Sequence, residues 1–490
     1  MIYFRHGMMS GKQPLLTNFA PKLINIVKPI INLRFMKKFL LLAACALYGV
    51  SYSYCEAADF TVNGVVYSVL SDSDKTAEVA ANPNLTDETV EIPATVTFED
   101  ITYSVVGIGA KAFAGCENLH KIVMPEGLTS IGNEAFSGCQ ALESAPLPNT
   151  LRHIGSYAFQ ECFMLTDIAL NEGIETIEEG AFYYCVRVPA IHIPASITSL
   201  GRGAFMYCNG VTEITIPSNL ETIPYGLFAW CQKLTKVDIP EGVKVIEYGA
   251  FSNDTYLDTV TLPESLEVIE GSAFQACAIE NLVIPSGITE IADFAFSLNS
   301  FLTSISLPSS ITRIGGCAFQ GCWQLSEFEF PTDLKEIGIE AFKGCSGLLK
   351  INLPDGVENI GENAFRGCTS ATELNLGSAI NTIGNQAFYN AWSLTDIKCG
   401  NPQPPVASDL FADDVYSNAV LTVLDEAVEA YKEAECWKNF SNIQGGLSGI
   451  MEISPEKEAY KEQWIGLDGK VYANPVPGIY LHRGKKIIVR

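Results

Sequence analysis

The sequence predicts a repeat solenoid, a right-handed superhelix whose coils stack through short parallel strands, mostly β with brief helical or 3-10 turns. Three observations carry that prediction. Ala-Phe pairs recur with a 23-residue period at Phe113, Phe136, Phe159, Phe182 and Phe205, then at Phe251, Phe274, Phe296, Phe319, Phe342, Phe365 and Phe388. Phe228 in Gly226-Leu227-Phe228 fills the open slot, and the one slip is a 22-residue step from Phe274 to Phe296. Apolar residues make up 48% of the chain and charged residues 18%, too rich in core formers for disorder. Finally, a unit of this size cannot bury its own apolar face, so successive units must stack.

Taken in chain order, residues 1–35 read as an upstream extension and 36–58 as a secretory signal peptide. Met36-Lys37-Lys38 is followed by the apolar run Phe39 to Val50 and then by small residues ending at Ala57-Ala58. That run is too short to span a bilayer, which takes about 20 apolar residues. Acylation of Cys55, as in a lipoprotein, is disfavoured by the bulky Tyr54 before it. Cleavage after Ala58 leaves 24 Lys and Arg against 55 Asp and Glu, a net charge of −31 against −25 for the whole chain. Such a surface argues against nucleic acid and against anionic lipid, and no transmembrane segment is expected in the mature chain.

Residues 59–104 are expected to form an N-terminal β cap and residues 105–400 the solenoid. Within a unit, Leu119 to Pro125 reads as a half-buried strand closed by Pro. The Gly after Ile131, Ile154 and Ile314 permits a tight bend or a positive φ. Ala112-Phe113-Ala114-Gly115-Cys116 reads as one helical or 3-10 turn that points Phe inward. Bulk on the far side of each coil is expected to curve the stack, leaving the sheet on the concave face. Residues 401–446 are expected to be degenerate capping repeats, since Phe411 lies 23 residues after Phe388. Residues 447–490 read as a small β domain of two or three strands with Gly turns.

The motif Leu-x-x-Ile-x-Leu-Pro, then Ile-Gly, then Ala-Phe-x-x-Cys, resembles the BspA-like class of bacterial leucine-rich repeats. The resemblance runs from about Asp59 to Gly445 and includes the entrance, Asp59 to Gly64, and the exit at Trp437 to Phe440. It implies a leucine-rich-repeat superhelix on a surface or secreted protein similar to adhesins. The tail from Trp464 to Arg490 resembles the C-terminal sorting domain of exported Bacteroidetes proteins, which implies association with the outer-membrane surface.

Ten cysteines stand three residues after the repeat Phe: Cys116, Cys139, Cys162, Cys185, Cys208, Cys231, Cys277, Cys322, Cys345 and Cys368. One thiol per coil does not make a metal site, which needs ligands clustered at short spacing. Bridges between adjacent coils fit the Cα distance, but parallel side chains would have to turn toward each other, so buried free thiols are favoured. Cys317 and Cys322 are the pair to examine as an exception. No catalytic motif, cofactor fingerprint or metal-binding spacing is present in the sequence, and the carboxylates lie at solvent-facing slots.

Binding surfaces are the remaining candidates, for a protein or glycan partner. On the concave strands the outward residues include Lys121, Asp167, His192, Glu213, Thr215, Lys236, Asp238, Thr261, Glu327, Lys350 and Asn352, a mixed row that could equally be a solvated sheet. An aromatic set, Tyr183, Tyr184, Tyr207, Tyr225, Trp230 and Tyr248, falls in consecutive coils near the Phe turn. Its plainer explanation is that each ring covers a gap between coils. A structural cell-envelope component without an external ligand is the alternative to a binding protein, and an enzyme is not expected.

Overall fold

The computed structural model describes residues 59–447 and, after them, the strands Trp464–Gly466, Val471–Tyr472, Gly478–His482 and Lys485–Val489. The extension, signal segment and Cys55 lie outside the described residues. The chain is a parallel β-solenoid in which residue i sits beside residue i+23, so each side-chain column runs along the axis. Val237 pairs with Val260, and Ile314 with Ile337.

Two parallel ladders run along the coils. The first follows the Leu-to-Pro segment, through Lys121–Val123, Ala190–His192, Glu213–Thr215, Lys236–Asp238 and Thr259–Thr261 to Lys350–Leu353 and beyond. It is broken into short sheets, and no strand is assigned at Glu327 to Glu329, where Phe328 packs edge-on between Phe319 and Phe342. The second ladder corrects an expectation. The Ile-Gly segment is no mere bend: Ser130–Ile131, His153–Ile154, Thr176–Ile177 and Ser199–Leu200 pair in register, and this ladder is the more continuous of the two. Where Gly follows, as at Gly132, Gly155, Gly315 and Gly361, it does not take a positive φ, and the preceding coil passes directly beside it. A β-carbon on Gly361 would lie 2.4 Å from the Ile339 nitrogen.

The Ala-Phe segment takes the 3-10 form of the expected turn rather than the α-helical one. It is a run of i to i+3 turns, as in Cys116 N–H to Phe113 C=O at 3.0 Å, in which alternate N–H groups donate to the next coil. Phe113 N–H reaches Ala135 C=O at 2.7 Å, and Gly115 N–H reaches Ser137 C=O at 2.8 Å. Inter-coil bonding satisfies backbone that a lone turn would leave open. α-Helix appears at the C-terminal end, at Asp413–Asn418 and Val428–Glu433.

Inside the coils, the repeat Phe rings stack from Phe113 to Phe411, with centroids 5.0 to 5.9 Å apart. Such pairs add about 0.5–1.5 kcal/mol each beyond their buried area. The cysteines form a second internal column, and all ten are buried and free. Each thiol from Cys139 to Cys231 donates to the Phe carbonyl one coil back, as do Cys277, Cys322, Cys345 and Cys368, at 3.0 to 3.5 Å. Burial pushes Cys139, Cys208 and Cys322 up to about 12, so the nucleophilic thiolate is suppressed. Cys317 is free as well, half-buried beside Glu340.

Four of the fourteen coils depart from Cys, at Asp254, Asn299, Ala391 and Asp414. Asn299 keeps the donor, giving its side-chain N–H to Phe274 C=O at 2.7 Å. Asp254 accepts from Cys231 N–H at 2.7 Å through one oxygen, while the other has no hydrogen-bond partner. Its complete burial drives the carboxyl pKa well above the ordinary value. The neutral acid is the form that retains a donor in this column.

Caps close both ends. Ile101–Ile108 supplies the first rung of the second ladder, and Thr89–Glu91 the first rung of the other. At the far end Tyr431 and Trp437 are buried, Tyr431 hydrogen-bonding Cys399 and Trp437 donating to Pro405 C=O at 3.0 Å. The tail forms four antiparallel strands, rather than two or three.

Candidate binding surfaces

Every outward residue predicted on the first ladder is exposed: Lys121, Asp167, His192, Glu213, Thr215, Lys236, Asp238, Thr261, Glu327, Lys350 and Asn352. Many are engaged with the neighbouring coil. His192 Nδ1 lies 2.9 Å from Thr215 Oγ1, and Thr261 donates to Asp238 at 2.9 Å. Ser144 donates to Asp167, and Lys350 pairs with Glu373 at 2.9 Å. Bonds from Lys236 and then Thr261 hold Asp238 below its usual pKa. Exposed pairs of this kind contribute about 0–1 kcal/mol each. They spend the polar groups on one another, and Glu327 lies on an unpaired coil.

The aromatic set is more organised, and the structure divides it into two walls. Tyr184, Tyr207 and Trp230, each two residues after its Phe, stack coil on coil with centroids 4.2 and 5.4 Å apart and planes within 15°. Tyr183 stands at 72° to Tyr184 and 80° to Tyr207. Rings stacked along the axis lie across it, so the Tyr183 plane runs lengthwise. The opposite wall lies three residues before Phe. There Tyr225 and Tyr248 stack at 5.6 Å, and the Arg202 guanidinium sits 4.3 Å over Tyr225, a cation–π contact.

Bounded by Tyr183 on one side and Tyr225 on the other lies an open cavity of about 620 Å³, lined also by Tyr157, Gln160, Glu179, Arg202 and Met206 and floored by Gly180 and Gly203. The floor is one column. The position two residues before Phe has φ between 51° and 64° in all fourteen coils from Phe113 to Phe411. Ten coils place a side chain there, but Gly180, Gly203, Gly226 and Gly249 occupy it in four successive coils. Tyr157 closes one end, its ring 2.3 Å from where a Gly180 β-carbon would stand. Its hydroxyl donates to Glu179 at 2.8 Å, a bond that raises the phenol's pKa and keeps it protonated.

The sequence pattern finds the rings but not the floor, nor Tyr157, Glu179, Arg202 and Met206. The available signal is four glycines at 23-residue spacing, written as an absence of side chains. The pattern also misses four exposed apolar residues in adjoining coils, Phe294, Leu298, Phe301 and Trp323. Among the described residues, no group of three or more His, Cys, Asp or Glu is placed to hold a metal ion.

Stacked 23-residue coils with parallel ladders and an internal Phe column define a leucine-rich-repeat solenoid. The chain belongs to the BspA-type family of such proteins: the family described as "BspA type Leucine rich repeat region (6 copies)" matches residues 94–189, 175–301 and 289–416. A leucine-rich repeat protein from Bacteroides ovatus is similar over 70% of this chain and 94% of its own, with 30% identity and a TM-score of 0.60. A leucine rich cell surface protein from Faecalibacterium prausnitzii is 24% identical over 81% of this chain and 97% of its own, with a TM-score of 0.39. A leucine-rich repeat protein of T. pallidum is 25% identical over 41% of this chain and 90% of its own, with a TM-score of 0.35. No curated protein matches the chain.

Proposed function

We propose that the chain is an exported, non-catalytic binding protein that presents its solenoid to a protein or glycan partner at the cell surface or outside the cell. The observation that carries this reading is the open, glycine-floored cavity lined by the rings of Tyr157, Tyr183 and Tyr225. Export is supported by the basic-then-apolar segment at 36–58, and the tail resembles a sorting domain. Among the described residues, no helix is long and apolar enough to cross a membrane. The buried thiols, with their raised pKa values, are packing groups rather than nucleophiles.

Two measurements test the proposal. Protease shaving of intact cells should release fragments of the solenoid, and the purified protein should retain at least one member of a panel of matrix proteins and polysaccharides. A chain recovered only from the cytoplasm, or one that retains nothing on the panel, overturns it.

A further inference from the structure

The coils that form the cavity exchange their side chains between two left-handed backbone positions. Two residues before Phe, the flanking coils carry Tyr157, Phe294 and Asn363 at φ 55–60°, and the cavity coils carry Gly180, Gly203 and Gly226 at 57–58°. The backbone therefore does not demand glycine there. Two residues after Phe, Gly115, Gly138, Gly321, Gly344 and Gly367 occupy the left-handed position, while Tyr184, Tyr207 and Trp230 hold it at φ 63–66°. A β-carbon in that conformation costs roughly 1 kcal/mol or more per residue. These coils thus omit side chains where other coils carry them, and three of them carry rings at a position that five other coils give to glycine and the adjoining coils give to Glu161 and Asn253. The Tyr157 ring lies over Gly180 and the Met206 side chain over Gly226, while Gly203 lines the open recess beside Tyr183 and Tyr225.

We propose that the trough over Gly180 and Gly203 binds a linear, uncharged glycan laid along the solenoid axis, a proposal that rests on the chain being a binding protein. Coils advance by about 4.8 Å, so a short chain of sugars laid along the axis meets Tyr157, Tyr183 and Tyr225 from different coils in turn. The Tyr183 plane runs lengthwise and lines the cavity, offering a ring face to a sugar's apolar face. Hydrogen-bonding groups flank it: the Glu179 carboxylate, the Gln160 amide, and an Arg202 guanidinium that makes no salt bridge or side-chain hydrogen bond among the described residues.

Charge selects against a polyanion. The trough holds one Glu and one Arg and is locally balanced, while the chain around it carries −25. Shape selects against a folded protein, whose stable contact needs about 800 Å² per partner and cannot fill a recess floored by backbone. A narrow chain of neutral rings with equatorial hydroxyls fits both limits.

The test uses the purified protein, titrated calorimetrically with cello-, xylo- and manno-oligosaccharides of three to six units. Soluble β-glucan, xylan and mannan are run in affinity gels, with alginate as the charged control. Gly203→Phe plugs the trough at a position where Phe294 has the same φ to within a few degrees, and a β-carbon there meets nothing closer than Met206 at 3.6 Å. Gly203→Asn, which copies the residue that Asn363 places at this slot, serves if the larger plug fails to fold. Binding of a neutral glycan, weakened at least tenfold by the plug and by Tyr183→Ala, is the expected result. Neutral glycans bound equally well by the variants would overturn the trough assignment. Binding of alginate or matrix proteins alone would overturn the neutral-glycan assignment and leave the binding reading standing. No binding to any probe overturns both.

Discussion

The Phe182 to Phe251 coils and the Phe319 to Phe365 coils share one backbone and present opposite surfaces. In the second group the residues two before Phe are Cys317, Glu340 and Asn363, and they knit to residues one after Phe. Gln320 donates to Glu340 at 2.8 Å, Lys343 pairs with Glu340 at 2.9 Å, and Arg366 donates to Asn363 at 3.1 Å. In the first group these partners are deleted to glycine, and Tyr183 and Met206 stand beside open space. A repeat can therefore switch a coil from closed to open by moving bulk between two positions without touching its core.

The sharpest way to break this comparison is through the shared core. Phe205→Ala and Phe342→Ala remove rings from the same column, one in each region, and each should cost about 3–5 kcal/mol in urea unfolding. Markedly unequal losses would mean that the regions differ inside as well as outside. A smaller effect separates the regions by pH. Asp254, at the edge of the open group, has a raised pKa in the folded chain, so its stabilising neutral form is complete below the ordinary Asp value. That contribution declines as pH rises toward the folded value. Asp254→Cys restores the thiol column, and its stability advantage over the natural chain should grow with pH by up to about 1.4 kcal/mol per unit across that window. Equal unfolding midpoints at pH 4 and pH 8 for the pair would refute the buried-acid account. Smallest of all, Gly344→Tyr copies the open group's ring into the closed one. It should lower stability by about 1 kcal/mol, the cost of a β-carbon in left-handed backbone. A stabilised Gly344→Tyr would show that the rings at Tyr184, Tyr207 and Trp230 need no ligand to justify them.

Much of this was legible in the sequence, because a strict period reports stacking directly. The Phe and Cys columns, the 22-residue slip and the six clustered rings are all visible as spacing. The Ile-Gly ladder was not, because two-residue strands such as His153–Ile154 are too short to show alternation and end on a bend residue. The Ala-Phe segment mimics a helical turn locally, and only the next coil reveals where its N–H groups point. The outward row on the first ladder is exposed as its alternation implies, but its mutual pairing depends on which side chains reach across 23 residues. The trough escaped for the simplest reason: hydropathy patterns register the side chains present, and its floor consists of side chains left out.

The 22-residue coil has a mechanical consequence. Coils joined edge to edge carry tension in series, so a pulled solenoid parts at its weakest joint, however strong the others are. The Phe274–Phe296 pair is the widest of the ring column at 5.9 Å, and the coil is bracketed by Asp254 and Asn299, each with a buried oxygen lacking a partner. A load applied between the caps is expected to open this joint first, which single-molecule pulling would record as an initial step that leaves the coils on its N-terminal side stacked.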